Sequence, residues 1–304
     1  MSIFVLRRLG EALITLLIMT VMIFSLARLT GDPTPLVLPA EATEADRNFF
    51  REQYGLDRSL PEQYVVFLGN ISRGDFGISF RYRKPAIDMV LSAMGPTLQL
   101  TLVSMVLAML IGVPLGVLAA VHRRSLLDRF IDFYSSVGQA VPTFWLGLVL
   151  IIAFSIHWPI FPSTGYGGLI YFVLPSATLG FFASSSITRL TRANMEEALR
   201  ADFVHMERVL GLPRWRIVAK HALRNASLPI ITYLGLQFGL LLGGAIVTER
   251  VFSWPGIGQT IVDAILNRDY PIIQAAVLTT AVFFIAINTV VDLLCLALDP
   301  RVRR

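Results

Sequence analysis

Between two long apolar runs, residues 201–229 of the chain read ADFVHMERVLGLPRWRIVAKHALRNASLP. This segment is basic and amphipathic, and it is long enough for two short helices. A polar loop with this much regular pattern is more than a connector between apolar runs. It predicts a docking surface, and it points to a membrane subunit that receives its energy from a partner protein.

The composition of the chain is that of an integral membrane protein. Hydrophobic residues make up 55% of the 304 residues and charged residues only 15%, whereas soluble domains have about 25% charged residues. The net charge of +5 is distributed over several loops, so no nucleic-acid partner is predicted. Cys295 is the single cysteine, which excludes a disulfide framework and a thiolate metal cluster.

Apolar intervals locate the membrane spans. Residues 9–27 contain only one charged side chain, and residues 89–121, 133–188, 225–248 and 270–291 contain none. About 20 apolar helical residues cross a bilayer, and residues 133–188 are long enough for two spans joined by residues 159–168. The sequence therefore predicts an all-α integral membrane protein with six transmembrane helices. A barrel is not expected, because its strands would alternate polar and apolar residues.

The distribution of Lys and Arg predicts the orientation. With the N-terminus inside, the cytosolic side carries Arg7 and Arg8, a basic group at residues 123–129, the residues of the 189–224 loop and the C-terminal arginines. This agrees with the positive-inside rule for short loops. We expect a multi-pass membrane protein with both termini cytoplasmic, an outer segment over 30–88 and a cytosolic loop over 192–228. The first apolar run is longer than a signal-peptide core and is predicted to be a retained helix.

Three glycines predict close helix packing in the fifth span. Gly235, Gly239 and Gly243 recur every fourth residue, and such stripes let two helix backbones approach in lipid. The contact lies either within the chain or with a second membrane subunit.

Polar side chains in the spans are candidates for lining a path. They are Gln99, Gln139 and Gln237, although such side chains more often satisfy neighbouring helices. Asp292, one turn from Asn288, is better explained by structural hydrogen bonding than by transport.

No pattern of enzyme chemistry is present. The chain lacks a phosphate-binding Gly-x-x-x-x-Gly-Lys-Ser/Thr loop, and it contains neither HExxH nor GxSxG. Its four histidines do not have metal-ligand spacing. We therefore predict that the chain is not an enzyme, that it binds no metal and that it does not itself bind ATP by that route.

Short motifs along the whole chain resemble those of a transporter family. In order they are Gly31-Asp32-Pro33, Tyr54-Gly55-Leu56-Asp57, Asp75-Phe76-Gly77, Arg224-Asn225-Ala226, residues 251–256 (VFSWPG) and Asp299-Pro300-Arg301. From Arg200 onward the loop resembles a coupling motif, with Gly211 as its glycine and Leu228-Pro229 closing it. The chain thus resembles the inner-membrane permeases of ABC importers, in the dipeptide, oligopeptide and nickel permease family. It departs from the motif's Glu-Ala-Ala, because those positions hold His205, Met206 and Glu207.

This resemblance implies a single transmembrane permease domain over 1–304, located in the bacterial inner membrane with residues 30–88 in the periplasm, and a set of partners. The partners are a homologous second permease, two cytosolic ATPase subunits that bind ATP and Mg, a periplasmic solute-binding protein and membrane lipid. The chain itself needs no cofactor. The residues expected to contact the ATPase are Asp202, Phe203, Glu207, Arg208, Gly211 and Leu212. Phe203 and Leu212 are expected to fill a groove, and Gly211 to permit a sharp turn.

The family leaves several functions open. Import of short peptides is favoured by the breadth of the family, whereas residues 165–168 (GYGG) and 267–274 (NRDYPIIQ) also resemble nickel permeases. Residues 236–249 resemble the glutathione branch. A proton-coupled secondary transporter would need ionisable groups through the spans, and only Asp292 offers itself. A structural membrane protein would explain the glycine stripe but not the elaborate loop.

Overall fold

The computed structural model describes residues 2–29, 34, 38, 41–53 and 55–298. These residues fold into helices and loops, with one isolated bridge between Ile78 and Pro85. The all-α prediction is confirmed.

Twelve helices follow one another in the described residues. They are α1 (Ser2–Leu29), α2 (Glu44–Gln53), α3 (Leu60–Ile71), α4 (Ala86–Val121), α5 (Leu126–Ala140), α6 (Thr143–Ile151), α7 (Leu169–Arg200), α8 (Asp202–Val209), α9 (Arg214–Arg216), α10 (Leu223–Val251), α11 (Ile257–Leu266) and α12 (Tyr270–Leu298). A π-helical turn, Ile152–His157, extends α6, and a second one, Ile217–Ala222, joins α9 to α10.

Five helical segments are long and apolar enough to cross a membrane. They lie in α1, α4, α7, the continuous stretch from α9 into α10, and α12. A sixth span exists if α5 and the extended α6 count as one, although the two are bent by 101°. The bend falls at Val141, whose ψ of 122° is extended. Pro142 explains it, because proline disfavours a helical conformation in the residue before it and donates no backbone hydrogen bond.

The chain forms two compact units, residues 1–95 with 256–286, and residues 96–255 with 287–304. We call them the first and the second unit. The family motifs do not predict this division, and the single domain over 1–304 stays a prediction.

In the first unit, aromatic rings join α1 to α3. Phe24 lies edge-on to Tyr64 with ring centroids 5.3 Å apart, and the hydroxyls of Thr20 and Tyr64 are 2.9 Å apart. Farther along, the buried carboxylate of Asp269 accepts a hydrogen bond from the Ser79 hydroxyl at 2.5 Å. It also accepts the backbone N–H of Phe80 at 3.3 Å. The loop before α4 is thereby held against the start of α12.

In the second unit, α7 lies at the centre of the packing. Leu179, Ala183 and Ile187 of α7 are buried in one cluster with residues of α4 and α10. A side chain at Gly138 of α5 would overlap the Ser185 hydroxyl of α7, so glycine is required for this close approach. The helices that flank the polar loop are therefore fixed to a tightly packed core.

Trp254 of the VFSWPG motif is part of this packing. Its side chain is fully buried, and its indole N–H donates to the Pro96 carbonyl at 3.0 Å. Its ring lies edge-on to Tyr166 and Phe172, at centroid distances of 4.9 Å and 4.6 Å. The motif has a structural role in the second unit.

Candidate functional site

The polar loop folds as a short helix, a tight turn and a second helix that continues as α10. Ala201 adopts an extended conformation (ψ 149°) between α7 and α8, which separates the eight-residue helix α8 from the span before it. Val204 is the buried residue of α8, at 1% exposure. Helix α8 thus lies on the molecule with one side inward and the rest of its surface open.

Gly211 makes the turn after α8. Its φ of +76° is left-handed, a conformation that glycine adopts without steric cost. The Gly211 N–H donates to the Arg208 carbonyl at 3.0 Å, and the Leu212 N–H donates to the Glu207 carbonyl at 3.1 Å. This pair of bonds is the Schellman motif that ends many helices, and Pro213 follows it and prevents the helix from continuing.

A contact between two side chains ties α8 to the stretch that leads into α10. Glu207 Oε1 lies 2.5 Å from His221 Nδ1 in the π-helical turn. The Glu207 side chain is only 15% exposed, so its carboxylate faces the molecule rather than solvent. The contact therefore joins α8 directly to the helical stretch that continues as α10.

A second contact joins the loop to α4. The Arg214 guanidinium donates to the Val121 carbonyl, the last of α4, at 3.1 Å. Beside it lies a cavity of about 480 Å³ whose lining includes Arg208 and Leu212. Two spans of the second unit, α4 and α10, are thus in direct contact with the loop.

A charged network supports the C-terminal end of α7. Arg192 forms ion pairs with Asp128 at 3.0 Å and Asp132 at 3.3 Å, both on α5. Glu196 is paired with Arg192 at 3.2 Å and with Arg123 at 3.2 Å. Ion pairs that are linked into a network stabilise one arrangement of side chains better than isolated surface pairs do. The network therefore fixes the end of α7 from which α8 follows.

Four large apolar side chains of the loop are exposed. Met206, Val209, Leu210 and Trp215 are 65%, 76%, 71% and 70% exposed. We call these four residues the loop face. Arg208 and Arg216 are exposed around it. A large apolar patch with a charged rim on a protein surface marks a protein interaction site.

The predicted contact residues lie in different environments. Asp202, Arg208 and Gly211 are exposed, whereas Phe203 and Leu212 are half-buried. The four residues of the loop face were missed from sequence. The signal was available in the spacing of Met206, Val209 and Leu210, which places three apolar side chains on one side of a helix.

The three candidate path residues are not brought together by hydrogen bonds. Gln99 accepts a hydrogen bond from the Tyr166 hydroxyl at 2.9 Å, and Gln139 accepts one from Arg189 at 2.9 Å. Gln237 is fully buried, and neither of its amide atoms has a hydrogen-bond partner.

The three glycines of the α10 stripe, Gly235, Gly239 and Gly243, also have different surroundings. A Cβ on Gly235 would lie 2.9 Å from Val291 of α12, whereas Gly243 has open space around it. Gly239 is half-buried. The stripe thus includes one close helix contact within the chain and one exposed position.

Some sequence signatures lie outside the described residues. They are Gly31-Asp32-Pro33, Tyr54 of its four-residue motif, and Asp299-Pro300-Arg301. Within the described ranges, no group of three or more His, Cys, Asp or Glu side chains could hold a metal ion.

Comparison with known families identifies the kind of protein. Residues 112–304 match the family described as "Binding-protein-dependent transport system inner membrane component". Residues 1–101 match its N-terminal counterpart, described as "Binding-prot-dependent transport system membrane comp, N-term". The chain belongs to this family. It is the inner-membrane permease of an ABC importer, a multi-pass protein of a transport family rather than of an enzyme class.

Individual proteins extend the comparison. The permease is 40% identical over 301 residues to the glutathione transport system permease protein GsiC of Escherichia coli K12, covering 99% of this chain and 98% of that protein. The corresponding protein of Shigella flexneri serotype 5b gives the same values. The fold is similar to that of the MetNI methionine ABC transporter in an inward-facing conformation, with a TM-score of 0.61 at 19% identity. That match covers 69% of this chain and 96% of the other. Permeases of this family work with a solute-binding protein and an ATPase.

Proposed function

We propose that this permease forms half of the translocation path for short peptides, and that glutathione is among them. The supporting observation is the 40% identity to a glutathione transport system permease along 99% of the chain. Glutathione is a tripeptide, so it lies within the substrate class that the family resemblance favours.

The complete transporter in this proposal contains five subunits. This chain pairs with a homologous permease, two ATPase subunits bind ATP and Mg on the cytosolic side, and a solute-binding protein delivers the peptide from outside. The chain itself holds no cofactor. Both termini lie in the cytoplasm, residues 30–88 lie outside, and the loop over 192–228 lies inside, as the positive-inside rule favours.

The loop face is the proposed ATPase contact. Its exposed apolar side chains fit a groove on a partner protein, and the surrounding Asp202, Arg208 and Arg216 supply a charged rim. Glu207 has a different role, because its carboxylate is bound to His221. It connects the docked helix to α10.

Coupling follows from these contacts. When ATP binding brings the ATPase subunits together, α8 moves with them, and the Glu207–His221 and Arg214–Val121 contacts carry the displacement to α10 and α4. The nucleotide drives this change only if it binds one conformation of the transporter more tightly than the other.

Uptake assays test the proposal. Labelled glutathione, a labelled dipeptide and labelled nickel are offered to cells that lack the chain and to cells complemented with it. We expect glutathione and dipeptide uptake to fall to background without the chain and to return on complementation. A second arm of the test is complementation with the Met206→Asp, Val209→Asp variant, which places two carboxylates on the loop face and should not restore uptake. Loss of nickel uptake alone would replace the peptide assignment with a metal one.

A further inference from the structure

A cavity of about 350 Å³ lies in the first unit, apart from the loop face. It is enclosed by the last turn of α1, by α2 and α3, by residues 75–80 and by the first turn of α12. Its volume falls within the range of small-molecule sites. Phe50, Phe67 and Phe76 are among the aromatic side chains that line it.

The Gln63 amide oxygen and the Tyr270 hydroxyl on this lining have no hydrogen-bond partner. The Gln63 side chain is 9% exposed, and its Nε2 donates to the carbonyls of Leu56 at 3.3 Å and Arg58 at 2.8 Å. Its Oε1 is buried without a partner, and so is the Tyr270 hydroxyl. Buried polar groups of folded proteins are almost always satisfied, by protein, by water or by a ligand. A bound molecule that satisfies both atoms must donate a hydrogen bond to Gln63, and it can accept one from Tyr270.

The cavity also carries charges of both signs. Arg58 lies against the backbone at Gly55, where a Cβ would be 3.6 Å from its Nε, and among the described residues it makes no ion pair. Glu52 and Asp75 place carboxylates on the same lining. Arg58 suits an oxyanion, and the carboxylates suit an ammonium group.

We propose that this cavity binds a small zwitterion, a molecule with an ammonium group and a carboxylate or phosphate a few bonds apart. The ammonium group donates to Gln63 Oε1 and faces Glu52 and Asp75, while the oxyanion accepts from Tyr270 and pairs with Arg58. Two sources offer this chemistry. One is the ethanolamine phosphate headgroup of a phospholipid, which lies at the depth of the outer ends of α1 and α12. The other is a free peptide.

Binding to the purified full-length chain separates these sources. The chain is placed in nanodiscs of phosphatidylglycerol alone or with added phosphatidylethanolamine, and retained lipid is counted by native mass spectrometry. Binding of alanyl-alanine and of glutathione is measured by calorimetry in the phosphatidylglycerol nanodiscs. Neither measurement uses ATPase or solute-binding protein, so failure to bind here would leave the proposed transport function standing, and failure of uptake would leave this site standing.

Two substitutions test the site without disturbing the fold. Tyr270→Phe removes an unpartnered hydroxyl and keeps the ring that lies edge-on to Phe80. Arg58→Gln removes the exposed guanidinium. The matched controls are Tyr82→Phe and Arg73→Gln, the same exchanges at exposed positions outside the cavity.

We expect the protein to retain one of the zwitterions and both site variants to weaken that binding about tenfold, with the controls unchanged. Retention of phosphatidylethanolamine identifies a lipid site, and peptide binding in phosphatidylglycerol identifies a soluble ligand. The proposal is overturned if neither zwitterion is retained, which would mean that water fills the cavity. It is equally overturned if the site variants bind as well as the controls.

Discussion

At the scale of single residues, the Glu207–His221 pair is the contact on which coupling depends. The pair is partly exposed, at 15% and 32% of the side chains, so its contribution to stability is about 1 kcal/mol or less. Its proposed role is mechanical. We expect Glu207→Ala and His221→Ala each to lower the amount of peptide transported per ATP hydrolysed several-fold, with little loss of folded protein.

A double-mutant cycle distinguishes this role from a general structural one. If the pair acts as a unit, the double variant is no worse than either single variant. Glu197→Ala and Lys220→Ala serve as controls, because both side chains are exposed, Glu197 on α7 and Lys220 next to His221. Additive effects of the two single variants, or an equal loss in the controls, would contradict the prediction.

The same residues show how far sequence reasoning reaches. The role of Gly211 followed from its place in the coupling motif, and a left-handed turn is a local property that one residue determines. The partner of Glu207 did not follow, because His221 lies in a π-helical turn. A π-turn closes its hydrogen bonds over five residues instead of the four of an α-helix, which changes the side chains that face α8. No residue type predicts such a turn.

At the scale of elements, the exposed face of α8 and its turn is the feature that a partner must cover. Met206→Ser with Val209→Ser removes two large apolar side chains that make no core contact in the chain, since both are exposed by more than half. Interface hot spots cost about 2 kcal/mol or more when truncated. We therefore expect the amount of ATPase that co-purifies with the permease to fall at least tenfold, with the thermal stability of the permease unchanged.

The control for this element lies on the same predicted side of the membrane. Leu126, in the first turn of α5, is 80% exposed, and Leu126→Ser should leave ATPase retention as it was. Retention of the ATPase by the double variant would move the docking surface away from the loop face.

The helices also show what an apolar sequence pattern cannot predict. The uncharged interval over 133–188 correctly indicated membrane-embedded helices, because the absence of charge reports the surroundings of a segment. It does not report the direction of the helices, and the 101° bend between α5 and α6 falls next to Pro142. Pro114 and Pro175 lie inside α4 and α7, which continue through them. A proline in an apolar run therefore allows a break without requiring one.

At the scale of the whole molecule, family motifs along the chain gave the fold class and the kind of transporter, because they depend on residue identity and order. The division into two units was not foreseen, since it depends on which helices pack together after folding. The cavity of the first unit was not foreseen either, for the same reason. Tyr270 is far in sequence from Arg58 and Gln63, and only the tertiary structure places the three on one lining.

The orientation of the molecule in the membrane is the prediction on which both proposals depend, and cysteine labelling tests it. Cys295→Ser first removes the single native thiol. Single cysteines are then introduced at the exposed positions Arg7, Asp57 and His205. We expect a membrane-impermeant maleimide to label Asp57→Cys in intact cells, because residues 30–88 are predicted to lie outside. Arg7→Cys and His205→Cys should react only after the cells are permeabilised, because the positive-inside rule predicts that the basic loops remain inside. Labelling of His205→Cys in intact cells would place the loop face outside the cell, where no ATPase could reach it.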